Sequence, residues 1–256
     1  IEEDLIEELA RLHGYDNIPT HPPVGRLAMP ELSEGRRSAS NVRHLLADRD
    51  YQEVINFAFV ERRWEKDFAG NDTPVVLANP IASQMSVMRS TLIGGLVDNV
   101  LTNRRRQLDR VRVFEIGRCF AHDAQAVPVP GFAQTLRIAG LAWGAAQAEQ
   151  WGATARPTDF FDVKGDVEAL VLPYQAVFAP TRHVALHPGR AASISLHGQV
   201  VGFIGELHPE LVQRYELASA PLVFECDLEP LLGSAVPTYQ TVSRQPAVRR
   251  DLALLL

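Results

Sequence analysis

The segment SISLHGQVVGFI, residues 193–204, decides the predicted fold class. Its two flanks, 193–196 and 200–204, contain residues that suit β-strands. His197-Gly198 between them is a pair that favours the tight turn of a hairpin. Because a hairpin joins antiparallel strands, whereas parallel strands require long crossover connections, the segment indicates an antiparallel sheet.

The sequence on either side of this hairpin predicts further strands. They outnumber the strands that a parallel α/β protein would connect by regularly spaced crossover helices. Strands are predicted at 54–60, 74–77, 111–120, 136–143, 222–228 and 250–256. Helices are predicted at 1–16, 33–49, 90–103, 162–172 and 209–215. We expect Ser33 to cap the second helix and His187-Pro188-Gly189 to form a turn. The pattern favours an α+β fold with a mainly antiparallel sheet flanked by helices.

Composition excludes several classes of protein. The chain has 256 residues, 46% of them hydrophobic, which is typical of a globular protein and not of a disordered one. No apolar run approaches the roughly 20 residues that span a bilayer. Only Cys119 and Cys226 are present, so a disulfide framework is excluded and a reducing, cytoplasmic location is expected. The formal net charge of −6 argues against strong nonspecific binding to nucleic acid.

The first predicted helix carries an acidic face. Asp4, Glu7 and Glu8 are three or four residues apart, which places their carboxylates on one side of a helix. Hard divalent cations such as Mg²⁺ prefer oxygen ligands of this kind. The alternative is a solvated acidic face near a helix N-terminus, where the helix dipole favours negative charge.

An arginine-rich stripe is the second candidate site. It contains seven arginines against three acids: Arg89, Arg104, Arg105, Arg106, Arg110, Arg112 and Arg118 against Asp98, Asp109 and Glu115. The stripe could contact phosphates of ATP or RNA. Alternatively, its exposed members pair with acids of a partner subunit. The candidate contact residues are Arg104, Arg105, Arg106 and Arg110.

Motifs for nucleophilic catalysis or phosphate-loop binding are absent from the sequence. Gly202 and Gly205 lie within the predicted hairpin, where close packing explains glycine better than nucleotide binding does. Cys119 lies on an apolar strand and is expected to be a small core residue.

Several long strings resemble the family of the bacterial phenylalanine–tRNA ligase beta subunit, and they occur in the same order. They are EEDLIEELARLHGYDNIP (2–19), NPIASQMSVMRSTLIGGL (79–96), NRRRQLDRVRVFEIGRCF (103–120), DFFDVKGDVEALV (159–171), HPGRAASI (187–194), GFIGELHPEL (202–211) and SRQPAVRRDLALLL (243–256). The resemblance runs from end to end, with weaker stretches at 61–75 and 121–156.

This resemblance implies a class II aminoacyl-tRNA synthetase-like sheet and a part in attaching phenylalanine to tRNA(Phe). In the family, the alpha subunit carries the active site and uses ATP, and the assembly is an α2β2 heterotetramer. The beta core is a non-catalytic scaffold for alpha, and most tRNA contacts lie in other domains. A free-standing regulatory or tRNA-binding module remains the alternative.

The resemblance also implies roles for particular residues and domain boundaries. Asp4, Glu7 and Glu8 would hold Mg²⁺ in a site shared with alpha, which is expected to be incomplete because a further Asp lies upstream in the family. No catalytic residue is expected, since the arginines that hold ATP in class II enzymes are not evident. Asp50 replaces a more usual Gly, so a left-handed backbone is expected there.

Three segments follow from the same resemblance. Residues 1–24 would be the last helix and linker of an upstream module, 25–238 the class II-like core, and 239–256 the start of a truncated ferredoxin-like anticodon-binding domain. We expect the tail over 244–256 to be disordered or packed in a non-native way.

Overall fold

A computed structural model describes residues 1–25, 29, 33–236, 238–239, 241 and 248–253. The chain divides into two units, residues 1–33 and 34–256. In the first unit, helix α1 spans Glu2–His13 and ends at Gly14, whose φ of +89° suits glycine. The helix predicted over 1–16 is therefore confirmed, and none of its residues is buried.

The second unit contains the remaining helices and nine strands of the described residues. The helices are α2 (Ala39–Asp48), α3 (Arg62–Trp64), α4 (Ile93–Arg105), α5 (Phe160–Val171), α6 (Pro209–Arg214) and α7 (Leu228–Leu231). The strands are β1 (Gln52–Glu53), β2 (Phe59–Val60), β3 (Val87–Met88), β4 (Val111–Asp123), β5 (Gly131–Trp143), β6 (Val177–Pro180), β7 (Leu186–Leu196), β8 (Gln199–Leu207) and β9 (Leu222–Asp227). Among the described residues, no helix is long and apolar enough to cross a membrane.

Seven strands form one sheet in the order β1-β4-β5-β9-β8-β7-β6. Every neighbouring pair is antiparallel except β1 and β4, which run parallel. Strands β2 and β3 pair separately. The mainly antiparallel sheet predicted from the sequence is confirmed.

The sheet has a hydrophobic core on each face because successive residues of a strand point to opposite sides. On one face, Ile138 and Phe224 pack with residues of α2, α5 and α7. On the other face, Ala139 and Val223 pack with residues of α4 and α6. The result is a layer of helices on both sides of the sheet.

The predicted hairpin and its glycines are confirmed. His197 and Gly198 both adopt positive φ, as a two-residue hairpin turn requires. A Cβ atom on Gly202 would lie 2.2 Å from the Glu225 carbonyl oxygen, and one on Gly205 would lie 2.7 Å from that of Arg190. Close approach of neighbouring backbones therefore explains both glycines.

Three local predictions are wrong in detail. The N-cap of α2 is Ser38 and not Ser33, because the Ser38 hydroxyl accepts a hydrogen bond from the Asn41 backbone. The strand predicted over 54–60 is regular only at its last two residues, in β2. The segment predicted over 74–77 contributes one isolated bridge, between Val76 and Val87.

The turn predicted at 187–189 lies inside β7. The pairing of β7 with β8 shifts register between Leu186 and Ala191, so the extra residues form an irregularity within the strand. Within this irregularity, the His187 imidazole accepts a hydrogen bond from the Gly189 backbone. Proline and glycine thus mark a bulge and not a chain reversal.

Other expectations concern single positions and the tail. Asp50 adopts φ +70°, as expected for a residue in the left-handed region. Cys119 is buried, and burial raises the pKa of its thiol, which fits a core residue and not a reactive one. The strand predicted over 250–256 is absent from 250–253. Residues 244–247 and 254–256, which belong to the predicted disordered tail, lie outside the described residues.

Candidate functional site

The acidic face of α1 does not form a metal centre by itself. Glu8 pairs with Arg11 at 2.6 Å. Within the part of the chain that the structure describes, no three His, Cys, Asp or Glu side chains converge as metal ligands. Asp4, Glu7 and Glu8 therefore fit Mg²⁺ only if further donors join them, and the magnesium site stays a prediction.

The four candidate arginines of the stripe have different environments. Arg104 donates to the backbone carbonyl of Glu216. Arg110 is half-buried, donates to the carbonyl of Ala145 at 3.0 Å and pairs with Asp50 at 2.6 Å. Arg105 and Arg106 are exposed and have no ion pair among the described residues. Only the last two are thus available to a partner without breaking an internal contact.

Arg112, another member of the stripe, is a structural residue. Its guanidinium is buried, pairs with Asp166 and lies 4.5 Å from the ring centre of Tyr51. The same Asp166 carboxylate accepts from the Tyr51 hydroxyl at 2.8 Å and from Arg49 at 2.6 Å. Burial raises the pKa of Tyr51 above its ordinary value, so the hydroxyl stays a donor. This cluster joins β4, α5 and the end of α2.

A polar cleft of about 460 Å³ opens on the sheet face that carries α4, and we call it the sheet-face cleft. Its residues are Ala69, Asn71, Thr73, Ser90, Thr91, Ala121, His122, Arg137, His183, Phe203 and Glu225. Glu225 is 1% exposed. One of its oxygens pairs with Arg137 at 2.7 Å, and the other accepts from the Thr91 hydroxyl and the Leu92 backbone, each at 2.7 Å.

Two other buried carboxylates are also held by partners within the chain. Glu65 accepts from the Ser90 backbone at 2.8 Å and from Asn71 at 2.8 Å. Arg89 pairs with Glu115 at 2.7 Å, with both side chains buried. A phosphate that entered this cleft would meet Glu225 and Asp227 beside Arg137, so the attraction of that guanidinium is offset by carboxylate charge. The arrangement is therefore suited to holding strands together and not to gripping a nucleotide.

The local sequence pattern does not mark Glu225 or Arg137 as site residues. Each is a charged residue within an otherwise apolar strand, and such positions rarely lie in a core without a partner. The register of β5 and β9 brings them together, since Arg137 lies opposite Asp227. That register depends on long-range pairing, which the local pattern does not contain.

An exposed apolar strip is the second notable surface. It runs along segment 54–58, where Ile55 is 93% and Phe57 is 70% exposed. A shallow pocket of about 260 Å³ adjoins Phe57 and is also lined by Trp64 and Met85. Clustered apolar residues of this size on a surface mark a site of association.

Together, the mainly antiparallel sheet, the helices on both faces and the cleft on one of them define an α+β fold. The structure is similar to that of a pyrrolysyl tRNA synthetase, PylSc of Desulfitobacterium hafniense, with a TM-score of 0.54. The match covers 77% of this chain and 66% of that chain at 14% sequence identity, so it concerns the fold alone.

Sequence comparison identifies the particular family. Residues 18–228 match the family model described as the phenylalanyl tRNA synthetase beta chain CLM domain, and the chain belongs to this family. It is 60% identical over 256 residues to the phenylalanine–tRNA ligase beta subunit of Aromatoleum aromaticum and 56% identical over 260 residues to that of Ralstonia nicotianae. The whole chain is covered, but it spans only 32% of the length of each of these relatives.

Proposed function

We propose that the chain is the non-catalytic core of a phenylalanine–tRNA ligase beta subunit, and that it scaffolds the catalytic alpha subunit. The exposed apolar strip carries this proposal. Burying a large apolar side chain contributes roughly 1.5–3 kcal/mol, so an exposed Ile55 and Phe57 represent binding energy that a partner can use. Interfaces of this kind have an apolar centre with aromatic anchors.

The paired charges of the sheet-face cleft support the non-catalytic role. Transfer of a nucleotidyl group requires arginines or metal ions that stabilise charge developing on phosphate. Arg137 and Arg89 instead neutralise buried carboxylates, Glu225 and Glu115. The ATP chemistry is accordingly assigned to the alpha subunit.

The wider assembly is also part of the proposal. It is a cytoplasmic α2β2 ligase that attaches phenylalanine to tRNA(Phe), with most tRNA contacts in domains beyond this chain. Asp4, Glu7 and Glu8 are proposed to supply part of a Mg²⁺ site, completed by donors from outside this helix. Bound there, the ion would join α1 to its surroundings by shared carboxylate ligands.

Co-purification with a phenylalanine-specific alpha chain tests the scaffold role. We expect the wild-type chain to retain alpha and Phe57→Asp to lose it, because a charge at the centre of an apolar interface is left unpaired. Phe161→Asp is the matched control, since Phe161 is 74% exposed but lies on α5. Two outcomes would contradict the proposal and favour a free-standing regulatory protein. In one, both variants retain alpha; in the other, neither the wild-type chain nor the variants retain it.

A second candidate function, direct tRNA binding, rests on Arg105 and Arg106. Both side chains are exposed near the end of α4 and have no ion pair among the described residues. A gel-shift assay would compare the wild-type chain with a variant in which Arg104, Arg105 and Arg106 are changed to Ala. Binding that the variant loses supports this function, whereas equal binding or no binding removes it.

A further inference from the structure

A second cleft lies beside the first and differs from it in its charges. We call it the basic cleft. It has a volume of about 730 Å³, within the usual range for ligand sites. It lies between α6, the turn over 65–69 and the loop that follows β6. Its lining residues are Lys66, Asp67, Arg182, His183, Val184, Leu186, Pro188, His208, Glu210, Leu211 and Arg214.

The two imidazoles of the basic cleft are fixed as hydrogen-bond donors. The Nδ1 atom of His183 accepts from the Ala185 backbone, and that of His208 accepts from the Glu210 backbone, each at 3.2 Å. A neutral imidazole that accepts at Nδ1 carries its proton on Nε2. Each ring therefore offers an Nε2–H group at its other edge. His183 is also held by stacking on Phe203, with ring centres 4.0 Å apart.

The cationic side chains of the basic cleft are not matched by acids. Lys66 and Arg182 are exposed and have no ion pair among the residues that the structure describes. Arg214 is anchored by Asp67, whose carboxylate also accepts from the Tyr215 hydroxyl at 2.8 Å. Since Asp67 is consumed in this way, Glu210 is the one remaining acid against Lys66 and Arg182 in the cleft lining.

We propose that the basic cleft binds a phosphate group through Lys66, Arg182 and the Nε2–H groups of His183 and His208. Charged donors and fixed N–H groups from three separate segments converge on one cavity, and an oxyanion is the ligand that accepts from all of them. The sheet-face cleft provides the contrast within the same chain, because its one arginine, Arg137, already contacts Glu225 and Asp227. This inference is independent of the scaffold role.

The phosphate could belong to a small molecule or to an RNA backbone, and both present the same oxygens. Binding of inorganic pyrophosphate to the full chain, measured by isothermal titration calorimetry, tests the shared chemistry. We expect Lys66→Ala/Arg182→Ala to raise Kd at least about tenfold, because two charge-assisted contacts are lost. The matched control, Arg36→Ala/Arg156→Ala, removes two exposed arginine charges that pair with acids on other surfaces, and it should leave Kd unchanged.

A competition arm distinguishes the two sources of phosphate. If a 12-nucleotide single-stranded RNA displaces pyrophosphate, the RNA backbone is the ligand, and if it does not, a small phosphate compound is. Both double variants change exposed side chains, and thermal melting confirms that they fold. No heat of binding at millimolar pyrophosphate, or an equal weakening in both double variants, would overturn the proposal.

Discussion

The sheet-face cleft and the exposed apolar strip lie in the same unit, but they differ in their partners. The buried charges of the cleft have partners within the chain, whereas the apolar side chains of the strip remain exposed to solvent. In the cleft, buried Glu225 has a guanidinium partner within the chain, and so does buried Glu115 outside the cleft lining. In the strip, Ile55 and Phe57 remain in water although neighbouring apolar residues pack into the core. The comparison suggests that the charges serve stability, and that association uses the apolar surface.

The largest expected effect comes from breaking a charge pair in the cleft. Glu225→Ala leaves Arg137 and the Thr91 hydroxyl without their buried acceptor, so we expect the free energy of unfolding to fall by about 3–5 kcal/mol. Urea denaturation measures the loss. Glu229→Ala is the control, since Glu229 pairs with Arg36 on the surface and should cost about 1 kcal/mol or less. Equal losses would mean that the buried pair has no special role.

A smaller loss is expected where two strands of the sheet approach closely beside Glu225. Gly202→Ala places a Cβ atom against the Glu225 carbonyl oxygen, and backbone must shift to relieve the contact. Overpacking of this kind costs about 1–3 kcal/mol. Gly152→Ala should have little effect, because nothing lies within 4 Å of its added Cβ. Thermal melting of the two variants would show whether the β8–β9 contact is as tight as described.

A pH effect is expected at His183, which lines both clefts. Burial, helped by the Arg137 charge, lowers the pKa of His183 to about 4, below its ordinary 6.5. The folded state therefore binds fewer protons than the unfolded state between these values, and the contribution of His183 to stability is lost as pH falls from 6.5 towards 4. NMR titration of the His183 ring should show no protonation above pH 5.5, and a midpoint near 6.5 would contradict this burial.

The smallest effect on stability is expected in the apolar strip. Phe57→Ser removes an aromatic ring that is 70% exposed, so the free energy of unfolding should change by less than about 0.5 kcal/mol. Chemical denaturation of the isolated chain provides this measurement. A loss of several kcal/mol would show that Phe57 belongs to the core, which would remove the main support for an interface there.

Local sequence signals predicted the elements of the sheet better than its sites. His197-Gly198 marked the hairpin, and Gly202 marked a close backbone approach, because both requirements are local. The bulge at Pro188 was mistaken for a turn, since the same residues serve both and only pairing with β8 distinguishes them. Ser38 was missed as the cap of α2 in favour of Ser33.

Candidate arginines were harder to assign because their roles depend on distant partners. Arg110 is predicted to contact nucleic acid or a partner subunit, and within the chain its guanidinium contacts Asp50 and the carbonyl of Ala145. The pairing of Arg137 with Glu225 joins residues 88 positions apart. A local sequence pattern cannot predict a contact between residues so far apart in the chain.

Phenylalanine-dependent exchange of pyrophosphate into ATP tests the central claim most directly, namely that this core is a scaffold without catalytic activity of its own. The assay would use the purified chain alone, with a phenylalanine-specific alpha subunit as the positive control. The account predicts exchange no greater than background for the chain alone, because Arg137 in the sheet-face cleft pairs with Glu225 and Asp227. Phenylalanine-dependent exchange above background by the chain alone would contradict it.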